Sequence, residues 1–361
     1  MTIFFVLGTR PEIIKVSPVI KVCEKRKINY GVLFTDQHYD ASLCDQFFND
    51  LELREPEYHL NVGSGSHGEQ TGKMLIEIEK VLLKENPSFV IVQGDTNSAL
   101  AGGLTAAKIH IKVGHLEAGL RSYDMRMAEE YNRRILDHMS DYLFAPTEFS
   151  RKLLEGENVW GKIFVTGNTV IDACLKHFEL AIKKSSILKE IKFKDFILVT
   201  AHRAENVDNK ETLKNIVEIL LNLPLPVVYP IHPRSLNRMK EFGLYDKISK
   251  SDKIQLLPPV SYLDILCLMK SCKFIITDSG GIQEEATAPI FQKFAFVIRK
   301  STDRPEAVKA GFAKVVGTDP KIVLNAIHNY DFENQLNFPS PYGDGHTSEK
   351  IIDIIKKENI F

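Results

Sequence analysis

Short apolar runs alternate with longer helix-like stretches along the whole chain. The runs are rich in Val, Ile, Leu and Phe, which is typical of strands buried on both faces of a parallel sheet. Strand–helix alternation predicts βαβ units, and six strands in each half predict an α/β fold of two similar doubly wound domains. The predicted strands are Phe4–Leu7, Tyr30–Thr35, Phe89–Gln93, Lys112–His115, Tyr142–Ala145, Lys162–Val165, Phe196–Thr200, Val227–Pro230, Ile254–Leu257, Phe274–Thr277, Phe294–Ile298 and Ala313–Val316.

We place the domain boundary near Asn168, between the two groups of strands. The chain has 361 residues, a length that suits about two domains. The N-terminal α/β domain is predicted to comprise residues 1–168 and the C-terminal α/β domain residues 169–345.

The remaining tail, residues 346–361, predicts an amphipathic helix. Ile351, Ile352 and Ile355 lie on one helical face, and Ser348 is placed to cap the helix. Such a face must be buried, so we expect the tail to pack back onto the first domain.

Composition and charge exclude several classes of protein. A formal net charge of −1 argues against a general nucleic-acid binder, which needs a basic face. The sequence contains no run of about 18 apolar residues, so no membrane span is predicted. The N-terminal run at 3–7 reads as a strand and not as a signal peptide, so we expect a cytoplasmic protein. The five cysteines are scattered and the 11 histidines show no metal-ligand spacing, so we expect reduced thiols and no metal.

In open α/β sheets, ligands bind beyond the carboxyl ends of the strands. The first strand is followed by a turn with Gly8, then by Arg10, and one helical turn later by Lys15. A glycine turn lets an anion approach the helix N-terminus, and a guanidinium adds a planar fork of donors. The alternative is a helix-capping turn with a surface arginine.

The second half contains a stronger anion-binding pattern. Ser279, Gly280 and Gly281 form a strand-to-helix turn that would expose backbone N–H groups. Glu285, on the following helix, could accept hydrogen bonds from sugar hydroxyls, and Arg304 could bind a diphosphate. The alternative is a glycine turn that serves close packing. No GxGxxG follows the first strand and no GxxxxGKS/T occurs, so neither a nicotinamide dinucleotide site nor a P-loop is predicted.

Three carboxylates in the first half also follow predicted strands. They are Asp95, Glu117 and Glu129, and together they indicate acid/base chemistry. Like charges in one crevice raise one another's pKa, so that one group can hold a proton while another does not. Each also has a structural alternative: Asp95 as a helix cap, Glu117 as a partner of Arg121, and Glu129 as a first-turn helix residue.

Histidines follow strands as well. His202, after the first strand of the second half, could contact a phosphate or donate a proton to a leaving group. Gln37 with His38, and His232, also stand at strand ends and are balanced between ligand contact and loop structure.

Taken together, these segments resemble the non-hydrolysing UDP-N-acetylglucosamine (UDP-GlcNAc) 2-epimerases. The resemblance spans nearly the whole chain, in the family's order. It implies the glycosyltransferase-B type of fold, in which two Rossmann-like domains face a central cleft. The matching strings are GTRPE at 8–12, GDT at 94–96, HLEAGLR at 115–121, EE-x-NR at 129–133, TGNTVID at 166–172, TAHRAEN at 200–206, DSGGIQEEA at 278–286, RPEAV at 304–308 and PYGDG at 341–345.

The resemblance implies a reversible reaction without a cofactor. UDP is eliminated from UDP-GlcNAc to give 2-acetamidoglucal, and its re-addition gives UDP-N-acetylmannosamine (UDP-ManNAc). Family members are expected to be homodimers that supply surface-polysaccharide precursors, and some bind a second UDP-GlcNAc as an activator.

The resemblance also assigns residues. Asp95, Glu117, Glu129 and His202 match the family's catalytic positions. The UDP contacts match Arg10, Lys15, His202, Ser279, Gly280, Gly281, Glu285 and Arg304, and the activator site matches Gln37, His38 and His232.

Two segments depart from the family pattern. The loop before Glu129 is shorter, and residues 286–295 replace a usual Gly-Lys-Pro turn, which could shift Arg304. Alternatives therefore remain. They are a 2-epimerase for a UDP-diacetamido sugar, a hydrolysing epimerase, a glycosyltransferase of the same fold, and a non-catalytic nucleotide-sugar sensor.

Overall fold

The computed structural model describes residues 2–36, 47–332 and 336–358. The chain divides into two compact units. Unit 1 contains the residues up to Ala173 and those from Tyr342 onward, and unit 2 is Cys174–Pro341. The boundary therefore lies a few residues beyond the predicted Asn168.

Unit 1 is built on a parallel sheet of seven strands in the order β3-β2-β1-β4-β5-β6-β7. Six strands match predicted ones with ends that differ by one residue at most. The prediction missed β3, which has only two residues and pairs with the end of β2. The strands are β1 Ile3–Leu7, β2 Tyr30–Phe34, β3 Tyr58–His59, β4 Phe89–Gln93, β5 Lys112–Leu116, β6 Tyr142–Ala145 and β7 Lys162–Val165.

Helices connect these strands, as parallel pairing requires. Every residue of β1 and β4 is buried, so the central strands are covered on both faces. Side chains from α2, α3 and α4 join the core on one side of the sheet. The helices are α1 Arg10–Lys25, α2 His67–Glu85, α3 Asn97–Lys108, α4 Ala128–Met139 and α5 Glu148–Gly156. Another helix, α6 Thr169–Lys184, runs through the unit boundary.

Unit 2 repeats the plan with six parallel strands in the order β10-β9-β8-β11-β12-β13. All six were predicted, again to within one residue at each end. They are β8 Ile197–Thr200, β9 Val227–Pro230, β10 Ile254–Leu257, β11 Ile275–Thr277, β12 Ala295–Val297 and β13 Ala313–Val315. The helices are α7 Ala204–Val207, α8 Lys210–Leu221, α9 Pro233–Glu241, α10 Tyr245–Ser249, α11 Tyr262–Ser271, α12 Gly280–Glu285, α13 Pro305–Lys309 and α14 Pro320–His328.

The tail forms α15, Thr347–Lys357, whose buried isoleucines pack in unit 1 beside α1. The predicted cap is wrong: no side chain of the helix caps it, and Ser348 instead donates its backbone N–H to Asp172 of α6. The same carboxylate accepts the N–H of Thr347 at 3.2 Å. Asp172 thus satisfies two of the N–H groups that a helix start leaves without partners.

Among the helices in the described ranges, none is long and apolar enough to cross a membrane. Within the same ranges, no three His, Cys, Asp or Glu side chains are grouped as metal ligands would be.

Candidate active site

The β1–α1 turn of unit 1 is closed by a buried carboxylate, Glu12. Its oxygens accept hydrogen bonds from the Gly8 N–H at 3.0 Å, the Thr9 hydroxyl at 2.7 Å and the Thr96 hydroxyl at 2.8 Å. Burial raises the pKa of Glu12 to about 7, although these hydrogen bonds lower it in part. Gly8 is required here, since a Cβ would lie 1.9 Å from Ser98 Oγ. Sequence reasoning missed Glu12, even though it belongs to the GTRPE string.

Arg10 and Lys15 follow this turn on α1 but lie in different environments. Arg10 is exposed, at the first position of the helix. Lys15 is buried, and its Nζ donates to Glu117 Oε1. Lys15 thus contacts a predicted catalytic carboxylate in addition to its predicted role at the diphosphate.

Glu117 follows β5 in a left-handed backbone conformation, with φ of +66°. This conformation is uncommon for a residue with a side chain and concentrates at functional sites. Asn168 Nδ2 also donates to Glu117 Oε1, at 2.8 Å, and the carboxylate is almost fully buried. The alternative pairing with Arg121 is wrong, because that guanidinium binds Asp137 and Glu157.

Asp95 follows β4, the strand that pairs with β5. Arg133 Nη1 donates to Asp95 Oδ2, and Asn132 Nδ2 donates to the Asp95 carbonyl at 2.9 Å. The Asp95 side chain keeps 30% of its surface exposed. The helix-cap alternative is wrong, since Thr96 caps α3.

The two acids that open α4 have separate environments. Glu129 is exposed, whereas Glu130 is buried and accepts hydrogen bonds from both the N–H and the hydroxyl of Ser122 at 2.9 Å. Burial opposes ionisation of Glu130, but the Ser122 hydrogen bonds and the Arg133 charge outweigh it and lower the pKa. Glu130 therefore anchors the loop, and Glu129 is the acid that a substrate could reach.

In unit 2, Asp278 organises the turn that carries His202. It accepts the N–H groups of His202 and Arg203, each at 2.9 Å, and Asn206 Nδ2 at 3.0 Å. The ring of His202 is 41% exposed and lies 5.4 Å, centre to centre, from the ring of His232.

His232 caps α9 through its Nδ1, which accepts the Arg234 N–H at 3.1 Å. Burial, together with the charges of His202 and Arg234, lowers its pKa. The ring is thus favoured in its neutral form. The other predicted activator residues, Gln37 and His38, lie outside the described residues.

Three arginines surround Asp303, a residue that sequence reasoning did not single out. Arg299 Nη1 donates to it at 3.1 Å, and Nη atoms of Arg304 and Arg203 lie 3.5 and 3.9 Å from its carboxylate. Burial opposes ionisation of Asp303, but the three guanidinium charges outweigh it and hold the pKa well below its usual range. Arg304 Nε also lies 2.5 Å from Glu284 Oε1, so this arginine faces two carboxylates.

The glycine turn of unit 2 is at the start of α12, as predicted. Ser279 precedes the helix, and its N–H donates to Thr277 Oγ1 at 2.9 Å. A Cβ on Gly280 would be 3.3 Å from Asp303 Oδ1, whereas the nearest atom to one on Gly281 is Ser279 Oγ at 3.9 Å. Glu285 is buried at the end of the helix.

The unusual segment 286–295 does not disturb the sheet. β12 begins at Ala295 and pairs with β11 in parallel register, Ile275 opposite Ala295. Arg304, further along, lies beside Glu284 and Asp303.

Two parallel α/β units of this topology, each with polar side chains at the strand ends, define the glycosyltransferase-B class of fold. A family model described as UDP-N-acetylglucosamine 2-epimerase matches residues 21–356. The UDP-N-acetylglucosamine 2-epimerase of Methanocaldococcus jannaschii is 47% identical over 98% of this chain and 99% of its own length. That of Methanococcus maripaludis is 44% identical over 97% of both. The chain belongs to the UDP-N-acetylglucosamine 2-epimerase family.

Solved structures of family members support this assignment. The crystal structure of the M. jannaschii epimerase with UDP-GlcNAc and UDP has a TM-score of 0.88 and covers 99% of this chain and 100% of that one. The Neisseria meningitidis epimerase bound to UDP-GlcNAc, 36% identical, has the same TM-score of 0.88, at 99% and 100% coverage. A UDP-2,3-diacetamido-2,3-dideoxy-D-glucuronate 2-epimerase of Pseudomonas aeruginosa is less similar, at 36% identity over 99% of this chain and 100% of its own.

Proposed function

We propose that the protein interconverts UDP-GlcNAc and UDP-ManNAc by inverting C2 of the sugar. One observation carries the proposal. Asp95 and Glu117 follow two adjacent, paired strands whose last residues, Gln93 and Leu116, stand opposite each other. Two carboxylates that follow neighbouring strands at the same level of a sheet can act on the same carbon atom of a substrate.

The chemistry explains why acids are needed. The C2 proton is not acidic, because no carbonyl is attached to that carbon. In the proposed reaction the C1–O bond breaks and UDP leaves with its electron pair, while a base takes the C2 proton, giving 2-acetamidoglucal. UDP then adds back to C1 as C2 receives a proton on the opposite face. No electrons are exchanged with a cofactor, so none is proposed.

We assign the proton transfers to Asp95, Glu117 and Glu129, with His202 at the leaving diphosphate. The buried Glu117, held by Lys15 and Asn168, is a fixed carboxylate, whereas the exposed Glu129 is accessible to solvent. Fixed catalytic groups avoid reorganisation during the reaction. UDP contacts are assigned to Arg10, Lys15, His202, Ser279, Gly280, Gly281, Glu285 and Arg304.

We further propose a cytoplasmic homodimer that supplies a precursor of surface polysaccharide. Unit 1 exposes large apolar side chains on two helices, Ile76 and Leu83 on α2 and Tyr131 and Ile135 on α4, which supports self-association. His232, with Gln37 and His38, is assigned to a second UDP-GlcNAc that acts as an activator.

A second candidate is 2-epimerisation of a UDP-diacetamido uronic acid. It is favoured by the full-length match to the P. aeruginosa enzyme, but at lower identity than the matches to UDP-GlcNAc 2-epimerases.

Incubation with UDP-GlcNAc in D2O, followed by NMR, tests the proposal. We expect deuterium at C2 and formation of UDP-ManNAc, with and without EDTA. Release of free N-acetylmannosamine would identify a hydrolysing enzyme instead. Absence of exchange with UDP-GlcNAc, together with exchange on the diacetamido sugar, would establish the second candidate.

A further inference from the structure

His115, at the end of β5, lies fully buried between two hydrogen-bond acceptors. Its Nδ1 is 2.7 Å from Asp137 Oδ1, and its Nε2 is 2.7 Å from the Gly94 carbonyl oxygen. A carbonyl oxygen only accepts hydrogen bonds, so Nε2 must carry a hydrogen.

The other partner is also an acceptor. Asp137 Oδ2 receives the Gly119 N–H at 3.1 Å and lies 2.7 Å from the Arg121 guanidinium. The buried ion pair with Arg121 favours the ionised form of Asp137, whose Oδ1 then accepts a hydrogen bond from Nδ1 of His115, so that Nδ1 carries a hydrogen as well. With hydrogens on both nitrogens, the ring is an imidazolium cation.

The charges around the ring balance in this state. Arg121 also pairs with Glu157, at 2.6 and 2.9 Å. Burial works against the charge of Arg121, but Glu157 and Asp137 outweigh it and raise its pKa. Two cations, His115 and Arg121, then face two anions, Asp137 and the partly exposed Glu157, which also lies 3.9 Å from Arg134 and 3.6 Å from His138. Buried charges persist when they are paired and hydrogen-bonded in this way.

This buried cluster holds the backbone beside both proposed catalytic carboxylates, Asp95 and Glu117. The Gly94 carbonyl belongs to the peptide that leads into Asp95, and the Gly94 N–H donates to the Leu116 carbonyl at 3.1 Å. Gly94 and Gly119 both have positive φ, +69° and +82°. Asp137 holds the Gly119 N–H, in the turn that follows Glu117. One cluster therefore fixes the two turns that carry the carboxylates.

We infer that His115 is a positioning residue of the epimerisation: as an imidazolium held by Asp137, it locks the Gly94 carbonyl and, through it, Asp95. The inference rests on the proposed function. His115 is not a catalytic residue, because both ring nitrogens are engaged and the side chain has no exposed surface.

The protonation state is tested first, in the intact protein and without an activity assay. After sequential assignment of β5, the ¹⁵N shifts of the His115 ring are recorded at pH 7.5. We expect both nitrogens to be of the protonated type. A neutral single tautomer at pH 7.5 would overturn the inference, whatever the enzyme's substrate proves to be.

Kinetics then test the positioning role. His115→Gln keeps one donor but removes the charge, and we expect kcat to fall about 100-fold, as for a small misplacement of a catalytic group. UDP affinity should stay within about twofold. Asp137→Asn should give a similar loss, and the two losses should not add in the double variant. His138→Gln, an exposed histidine on α4 beside Glu157, is the matched control with unchanged kcat.

An unchanged kcat in His115→Gln would also overturn the inference. If that variant fails to fold, the ring ¹⁵N measurement and Asp137→Asn still decide it. A wild-type protein that epimerises no UDP sugar would instead refute the proposed function, while the ring measurement would retain its meaning.

Discussion

The two units share one architecture, but two of their buried acids, Glu12 and Asp303, have pKa values shifted in opposite directions. In unit 1, Glu12 is surrounded by neutral donors, and burial raises its pKa to about 7. In unit 2, Asp303 lies among Arg203, Arg299 and Arg304, whose charges outweigh burial and lower its pKa. The same fold therefore carries one carboxyl group, Glu12, whose pKa is near neutral, and another, Asp303, that is ionised and surrounded by cations.

This difference divides the two requirements of the proposed reaction between the units in part, since Arg10 and Lys15 of unit 1 are also assigned to UDP. Proton transfer needs acids whose protonation can change near neutral pH, and the departing diphosphate needs positive charge. Sheet topology fixes where functional side chains lie, whereas the neighbours of each side chain fix its charge.

Asp95→Asn should remove proton transfer in unit 1 without affecting unit 2. We expect C2 exchange in D2O to fall about 1,000-fold or more, because a general acid/base group typically contributes that much. UDP binding measured by calorimetry should be unchanged. Glu77→Gln, an exposed acid of α2 paired with Lys80, is the control. Loss of UDP binding in Asp95→Asn would contradict the division between the units.

Glu12→Gln should remove a pH dependence of stability. The folded-state pKa of about 7 lies above the ordinary glutamate value of 4.5, so the protonated Glu12 contributes its full stabilisation below about pH 4.5, and this contribution is lost as pH rises through 7. The loss is at most about 3 kcal/mol. Urea unfolding between pH 4.5 and 8 should show a decline in the wild type that the variant lacks. An equal decline in both would assign the pH dependence to another group.

Arg304→Lys should affect unit 2 alone. Lysine keeps the charge but lacks the planar fork that binds a diphosphate through two hydrogen bonds. We expect UDP affinity to fall about tenfold, or about 1.4 kcal/mol, with little change in kcat for C2 exchange. Unchanged affinity would show that Arg304 serves only to brace Glu284 and Asp303. Lys309→Arg, on α13, is the control for exchanging one basic residue for another.

Asp172→Asn should have the smallest effect and should be confined to unit 1. The variant weakens the cap that Asp172 provides to Thr347 and Ser348 at the start of α15, and we expect a loss of about 1 kcal/mol in unfolding free energy. Hydrogen exchange should increase in α15 and remain unchanged in the strands of unit 2. Increased exchange in both units would show that they unfold together.

Much of the fold could be predicted from the sequence because its strands are continuous apolar runs between helical segments. β3 escaped prediction since two residues carry no periodicity. The unit boundary was placed at Asn168 and not between Ala173 and Cys174 because α6 continues through it, so no glycine or proline marks the change.

The positions of Asp95 and Glu117 were predictable from the sequence, because each residue follows an apolar run that forms a strand. The contacts of a side chain were not predictable where its partners are distant in sequence. Glu12 lies 84 residues from Thr96, and His115 lies 22 from Asp137. Asp303 gained significance only when Arg203, 100 residues away in sequence, was seen to join the nearby Arg299 and Arg304 around it.

The return of the chain to unit 1 has a consequence for biosynthesis. Asn168, which donates to Glu117, also gives its backbone N–H to the Tyr342 carbonyl at 2.7 Å, and α15 packs beside α1. The ribosome must therefore synthesise all of unit 2 before these contacts can form, which takes on the order of ten seconds at roughly 5–20 residues per second. Unit 2, continuous in sequence, can fold on emergence, whereas unit 1 waits with part of α1 uncovered. The half of the enzyme that is made first is completed last.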